Sequence, residues 1–209
     1  MEIVMKILVV IISYIIGSIP WALIIGLTFF KKDIRNFGSG NLGASNSGRV
    51  LGKPAAVAVT ILDGSKALIS MVIAYALAPD MIPYAGLVAC FGHCFPIFAQ
   101  FKGGKAVATA YGYFLGLAIF INQQWFWQFL FPVILFFVIL FLCRIVSLSS
   151  MSALGAEVLV SWLIIKNPVN VTLCILCLWL FICYRHRSNI ERIRKGTESR
   201  IKWMGKPLF

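Results

Sequence analysis

The chain has 209 residues, of which 60% are hydrophobic and only 12% charged, with a mean hydropathy of +0.91; soluble domains carry about 25% charged residues. That balance excludes an ordinary water-soluble domain, which would expose large apolar patches, and fits a chain solvated by hydrocarbon. The net charge of +12 does not mark a nucleic-acid binder, because the basic residues lie between apolar stretches rather than on a polar folded domain.

A spanning helix needs about 20 apolar residues. Windows of this kind fall at residues 3–30, 54–78, 82–98, 105–121, 125–142, 151–165 and 169–184 and predict about seven spans. Backbone groups in hydrocarbon must bond within their own segment, and the period-2 alternation of a membrane barrel is absent. The expected fold class is therefore all-α, a polytopic membrane protein with a single domain over residues 1–209. The first window runs on through Phe30 without a small-residue cleavage pattern, so it reads as a span rather than a signal peptide.

Between the first two windows the chain reads FGSGNLGASNSGRVLGK, residues 37–53. Glycine reaches backbone angles closed to other residues and lets main-chain N–H groups approach an anion. Ser39, Gly40 and Asn41 lie in this stretch, and Arg49 and Lys53 would supply charge. Taken alone, it reads equally well as a flexible, solvated basic loop.

In the second window, ILDGSK places Asp63 and Lys66 three apart, on one helical face where they can pair. Charges at such depth point into a bundle, so Asp63 either orients Lys66 or touches a substrate. The third window leads into GHCFPIFAQFKGGKAVAT, residues 92–109, in which Lys102-Gly103-Gly104-Lys105 is expected to open the fourth helix. A helix N-terminus favours anions. The G-x-x-x-x-G-K-[ST] spacing is absent and no strand precedes, so a simpler phosphate than a nucleotide is expected.

The fifth window ends in Arg144-Ile145-Val146-Ser147-Leu148-Ser149-Ser150 and the seventh in Arg185-His186-Arg187-Ser188-Asn189. Both offer cations and hydrogen-bonding groups. His186 is the candidate to bind a substrate oxygen or accept a proton, whereas His93, between Phe91 and Phe95, reads as a structural hydrogen-bonder. Glu191 follows His186 by five places, a weak echo of the H-x-x-x-x-D used by soluble and peripheral glycerolipid acyltransferases. No serine or cysteine stands in a triad order, so direct transfer is simpler than a covalent intermediate. Cys174-x-x-Cys177 falls mid-span and reads as packing. No metal-ligand cluster is visible, and neither metal nor other cofactor is expected.

Charge sets the topology. Lys31, Lys32, Arg35, Arg49, Lys53, Lys102, Lys105, Arg144 and eight basic residues from Arg185 to Lys206 share one side, against Lys6 and Lys166 opposite. The positive-inside rule puts the large group in the cytoplasm, the N-terminus outside and the C-terminus inside. The opposite connections, residues 79–81, 122–124 and 166–168, are short and carry no evident chemistry. Trp125, Trp127 and Trp162 near them suit an interfacial belt.

These residues resemble the bacterial membrane glycerol-3-phosphate acyltransferases that use acyl phosphate as donor, the PlsY family, over almost the whole chain. The markers are Gly17-Ser18-Ile19-Pro20; Gly38-Ser39-Gly40-Asn41 with Gly43 and Asn46; Leu62-Asp63 with Lys66; Gly92-His93 through Lys105; Arg144, Ser147 and Ser149; and Arg185-His186-Arg187 with Asn189-Ile190, Arg192, Gly196 and Glu198. Departures are mild: Ser45 stands where threonine is usual, and Ala67 and Ala106 where glycine is common.

The resemblance implies transfer of a fatty acyl chain from acyl phosphate to the 1-hydroxyl of glycerol 3-phosphate, giving lysophosphatidic acid and inorganic phosphate at the cytoplasmic side of the bacterial inner membrane. Both reactants carry phosphate, and the acyl chain lies among membrane lipid. Ser39, Gly40, Asn41, Arg49, Gly103, Gly104 and Lys105 are then expected to cradle phosphates, supported by Asp63 and Lys66, with Ser147, His186 and Asn189 completing the glycerol 3-phosphate pocket. Ser39, Lys105 and His186 are the catalytic candidates. A transporter of a phosphorylated solute is the rival from another class, but the outer connections are too plain for a matching site. A CDP-alcohol phosphotransferase would need a metal-binding aspartate cluster, and the chain has only Asp33, Asp63 and Asp80.

Overall fold

The computed structural model describes residues 1–201 and divides into two compact units, the first Met1–Phe120 and the second beginning at Ile121. Among the described residues every regular element is helical.

The first unit opens with α1 (Glu2–Gly17) and α2 (Trp21–Phe30). One continuous helix was expected here, but the chain breaks at Ser18-Ile19-Pro20 because proline has no N–H and its ring clashes with the preceding turn. A short helix, α3 (Ala44–Val50), follows within the glycine-rich stretch. Next is α4 (Lys53–Leu77), which starts behind Gly52 with Pro54 in its first turn, where a missing N–H costs nothing. Its 25 residues rise about 37 Å, more than the roughly 30 Å of a hydrocarbon core.

The unit is completed by α5 (Ile82–Cys94) and α6 (Val107–Leu117). α1 crosses α5 at close range: Cβ atoms at Gly17 and Gly92 would meet the main chain of Ala89 and of Tyr14 and Gly17 respectively. Between helices in lipid, where apolar contact has no water to escape, such close backbone packing is a main source of cohesion.

In the second unit a π-helical turn, Phe126–Leu130, runs into α7 (Phe131–Cys143). α8 (Val146–Val160) runs into another, Ser161–Ile165, and is followed by α9 (Val169–Arg185) and α10 (Arg187–Arg194). The last two are bent by 60° at His186.

All seven apolar windows fall on helices. Among the described residues five helices or helix pairs are long and apolar enough to cross a membrane (Glu2–Phe30, Lys53–Leu77, Pro79–Ala99, Phe126–Cys143 and Val146–Ile165), or six if the bent pair α9–α10 counts as one span. Val107–Asn122 is a shorter apolar helix. The side chains are distributed as lipid demands. Ile7, Ile11, Val57 and Ile61 of the first unit and Phe137, Phe141, Leu159 and Leu173 of the second are exposed, while Asp63, Lys66, Gln128, Arg144 and Glu157 are buried. Water would impose the reverse order; the chain is an integral membrane protein.

Candidate functional site

The glycine-rich stretch is ordered by its own side chains. Ile34, just ahead of the stretch, and Leu42 and Leu51 within it are buried with Ala22, Ile25, Ala55 and Val59 of α2 and α4, which pins the segment. Asn46, 1% exposed, fastens it from within. Its Oδ1 accepts from Ser39 N–H at 2.8 Å, and its Nδ2 donates to the carbonyls of Ile34 and Phe37, both at 3.1 Å. Gly40 has φ +68°, and a Cβ there would stand 3.0 Å from Arg35 O. Only glycine holds that position without strain.

Beside it, Asp33 accepts from the Arg35 guanidinium (Nη2 at 2.6 Å) and from the Arg35 N–H at 3.0 Å. These bonds hold the Asp33 carboxyl below the usual carboxylate range. Of the two readings left open for this stretch, the flexible one gives way to a braced segment that presents Ser39, Gly40 and Asn41.

The second glycine-rich segment folds against the end of α5. Gly103 N–H donates to Cys94 O at 3.2 Å and Gly104 N–H to His93 O at 3.1 Å. A Cβ on Gly104 would coincide with the His93 ring at Nε2, and one on Gly103 would meet His93 O and Pro96. These two glycines are therefore required by contact. Asn41 Nδ2 reaches Gly103 O at 3.5 Å, the long limit of a hydrogen bond, and so touches the two segments together. The fourth helix does not open at Lys102–Lys105 as expected. Ala106 has φ +58°, which no helix accommodates, and α6 begins at Val107. Lys105 thus stands in the turn ahead of the helix.

Asp63 and Lys66 pair as their spacing predicted, Nζ to Oδ1 at 2.7 Å, each 2% exposed. Sequence reasoning missed their third partner: His93 Nδ1 lies 3.2 Å from Lys66 Nζ. The signal available was a histidine in the last turn of a helix that packs on α4.

In the second unit the predicted residues gather around a carboxylate. Ser147 Oγ donates to Glu198 Oε1 at 2.8 Å, Asn189 Nδ2 to the same oxygen at 2.5 Å, and Arg192 Nε to Oε2 at 2.6 Å. Gly196, at φ +68°, turns the chain so that Glu198 can reach back, and Ile201 N–H then donates to Arg144 O at 2.9 Å. Burial works against ionisation of Glu198, but the bonds from Asn189, Ser147 and Arg192 outweigh it and hold the carboxyl below its ordinary value. Glu198 was noted in the sequence only as a marker; its convergence on Ser147 and Asn189 depends on the chain reversal.

His186 caps α9 with its Nδ1 2.8 Å from Ile182 O. A carbonyl only accepts, so Nδ1 carries the hydrogen and the lone pair of the neutral ring is on Nε2. Glu191 is exposed and paired with Lys195 at 2.6 Å, which leaves the His186 to Glu191 spacing without a structural counterpart. Arg144 is buried with its guanidinium 4.5 Å over the Phe141 ring. Arg49 stands in the last turn of α3.

The short connections also hold more than their composition announced. Asn122 Nδ2 donates to Gln128 Oε1 at 2.7 Å, Asn167 Nδ2 to the same oxygen at 2.9 Å, and Gln128 Nε2 to Glu157 Oε1 at 2.7 Å. Ser161 and Thr172 extend this buried network, their hydroxyls 2.9 Å apart.

Comparison with known proteins gives a consistent result. The sequence model of the family described as glycerol-3-phosphate acyltransferase matches residues 7–196. A glycerol-3-phosphate acyltransferase of Listeria welshimeri is 43% identical over 202 residues, covering 95% of this chain and 98% of that protein. The one of Staphylococcus carnosus is 44% identical over 212 residues, covering 96% and 100%.

Among solved structures, crystals of PlsY, an integral membrane glycerol 3-phosphate acyltransferase, superpose with TM-scores of 0.85 for the glycerol 3-phosphate form and 0.83 for the lysophosphatidic acid form. Their identities are 35% and 34%, each covering 94% of this chain and 95% of the other. Sequence and backbone agree along nearly the full length, so the chain belongs to the glycerol-3-phosphate acyltransferase family.

Proposed function

We propose that this protein, acting as one enzyme over residues 1–209, transfers a fatty acyl group from acyl phosphate to the 1-hydroxyl of glycerol 3-phosphate at the cytoplasmic face of a bacterial inner membrane. The observation that carries the reading is the near-full-length likeness to a PlsY crystallised in forms named for the acceptor and for the lysophosphatidic acid product. The charge asymmetry of the connections supports the orientation, with about seven spans, N-terminus outside and C-terminus inside.

The chemistry asks little of a protein nucleophile. The glycerol 1-oxygen attacks the acyl carbonyl carbon, the bond from that carbon to the phosphate oxygen breaks, and inorganic phosphate departs with its electron pair. What lowers the barrier is holding two reactants at the membrane surface and stabilising charge on the carbonyl and the leaving phosphate.

In the first unit the braced segments offer Ser39, Gly40, Asn41, Gly103, Gly104 and the cations Arg49 and Lys105 to phosphate oxygens, with Asp63 and Lys66 behind them. In the second unit Ser147 and Asn189 are assigned to glycerol 3-phosphate; both already direct donors at one anionic oxygen, that of Glu198. His186, with its basic nitrogen at Nε2, takes the hydroxyl proton or leaves it to a substrate phosphate.

The test offers the purified full chain, reconstituted in bilayers, glycerol 3-phosphate with either palmitoyl phosphate or palmitoyl-CoA. Lysophosphatidic acid and inorganic phosphate are expected from the first donor only. Product from acyl-CoA alone would overturn the donor assignment. Absence of product from both, with phosphorylated solute taken up by vesicles, would establish transport instead.

A further inference from the structure

An ion pair inside a spanning helix is costly, because two charges must leave water and their attraction repays that only with good geometry and further hydrogen bonds. Asp63 and Lys66 share this setting with one more polar group. Lys66 Nζ lies 2.7 Å from Asp63 Oδ1 and 3.2 Å from His93 Nδ1, and His93 is 6% exposed.

A lysine ammonium carries three hydrogens and no lone pair, so at this contact Nδ1 is the acceptor and the hydrogen of the neutral ring sits on Nε2. The opposite arrangement, an Nδ1–H directed at Asp63 Oδ1 3.5 Å away, would set that hydrogen against the nearer ammonium. The Nε2 edge abuts Gly104 so closely that a Cβ there would overlap it, with Cε1 and Cδ2 at 2.9 and 3.0 Å. The main chain of the same histidine accepts the Gly104 N–H.

We propose that His93 is a positioning residue for the Gly103-Gly104-Lys105 turn. Asp63 holds Lys66, Lys66 fixes the tautomer and rotation of the His93 ring, and the ring presents Nε2–H to the turn while its backbone clamps Gly104. The station of Lys105 relative to a bound phosphate is thereby set from inside the bundle. The consequence for turnover rests on the phosphate-loop reading above; the tautomer does not.

Two measurements test it. In the full chain labelled with ¹⁵N-histidine, His93 at neutral pH is expected to show a protonated Nε2 and an unprotonated, hydrogen-bonded Nδ1, and Lys66→Met to release that preference. A ring protonated at Nδ1, or a tautomer indifferent to Lys66→Met, overturns the proposal whatever the enzyme's substrates prove to be.

In steady-state assays His93→Phe is expected to raise KM for glycerol 3-phosphate or acyl phosphate about 10- to 100-fold, the worth of one lost buried hydrogen bond, with a smaller change in kcat. His93→Gln, which restores an N–H, should recover part of the loss, and Lys66→Met with His93→Phe should be no worse than the poorer single variant. Wild-type KM in a folded His93→Phe protein, or additive losses in the double variant, refutes the coupling.

Discussion

Asn46 is the side chain that fastens the glycine-rich segment from within. It is buried and makes three hydrogen bonds at 2.8, 3.1 and 3.1 Å to the main chain of Ser39, Ile34 and Phe37. At about 1 kcal/mol net for each bond, Asn46→Ala forfeits about 3 kcal/mol of loop ordering. With a factor of ten per roughly 1.4 kcal/mol, the ratio of braced to unbraced loop falls about 100-fold.

The helices α1, α4 and α5 touch none of these bonds, so membrane insertion and global folding should persist. Asn46→Asp sharpens the test, since it keeps the acceptor for Ser39 N–H but sets an anion against two carbonyls, and should be at least as damaging. Expected are a fall in kcat/KM of about two orders of magnitude and faster hydrogen exchange at the Ser39 amide in both variants. Near-wild-type turnover with unchanged exchange at Ser39 would show that the loop is ordered by something else.

Lys105→Ala should lose most turnover while the protein inserts and melts normally; near-normal turnover would remove this lysine from the site. His186→Gln should reduce kcat if Nε2 takes the hydroxyl proton, and retention of most activity would assign the proton to a substrate phosphate. Because the folded Glu198 carboxyl titrates below its ordinary value of 4.5, its stabilising contribution is fully present above about that pH and is lost as pH falls through the lowered folded value. A ¹³C titration of Glu198 with a midpoint at or above the ordinary value would contradict the Ser147, Asn189 and Arg192 contacts. Gln128→Leu should leave the buried Glu157 carboxyl without its amide donor, at about 1–3 kcal/mol, while Asn122 and Asn167 keep their bonds to each other and to Ser161; an unchanged melting temperature in detergent would refute that network.

Some of this protein was written locally along the chain and some was not. Hydropathy is summed over neighbours in sequence, so the apolar windows announced the helices of α4, α5 and α7 without reference to any other segment. The Asp63 to Lys66 pair needed only helical periodicity, and glycine and serine content announced residues 37–53 and 103–104 as segments able to meet an anion. The break in the first window also has a local cause, the missing N–H of Pro20.

What the tertiary structure alone decided are contacts between residues far apart in the chain. His93 joins Lys66 because α5 packs on α4, and Glu198 meets Ser147 and Asn189 because the chain reverses at Gly196. Gln128 bonds both Glu157 of α8 and Asn167 of the connection before α9, residues 29 and 39 positions away. A hydrogen bond depends on a few tenths of an ångström between two side chains, and composition or periodicity carries no such coordinate. The glycine-rich segments were visible in the sequence as material for an anion site; their bracing by Asn46 and their seat against His93 belong to the fold.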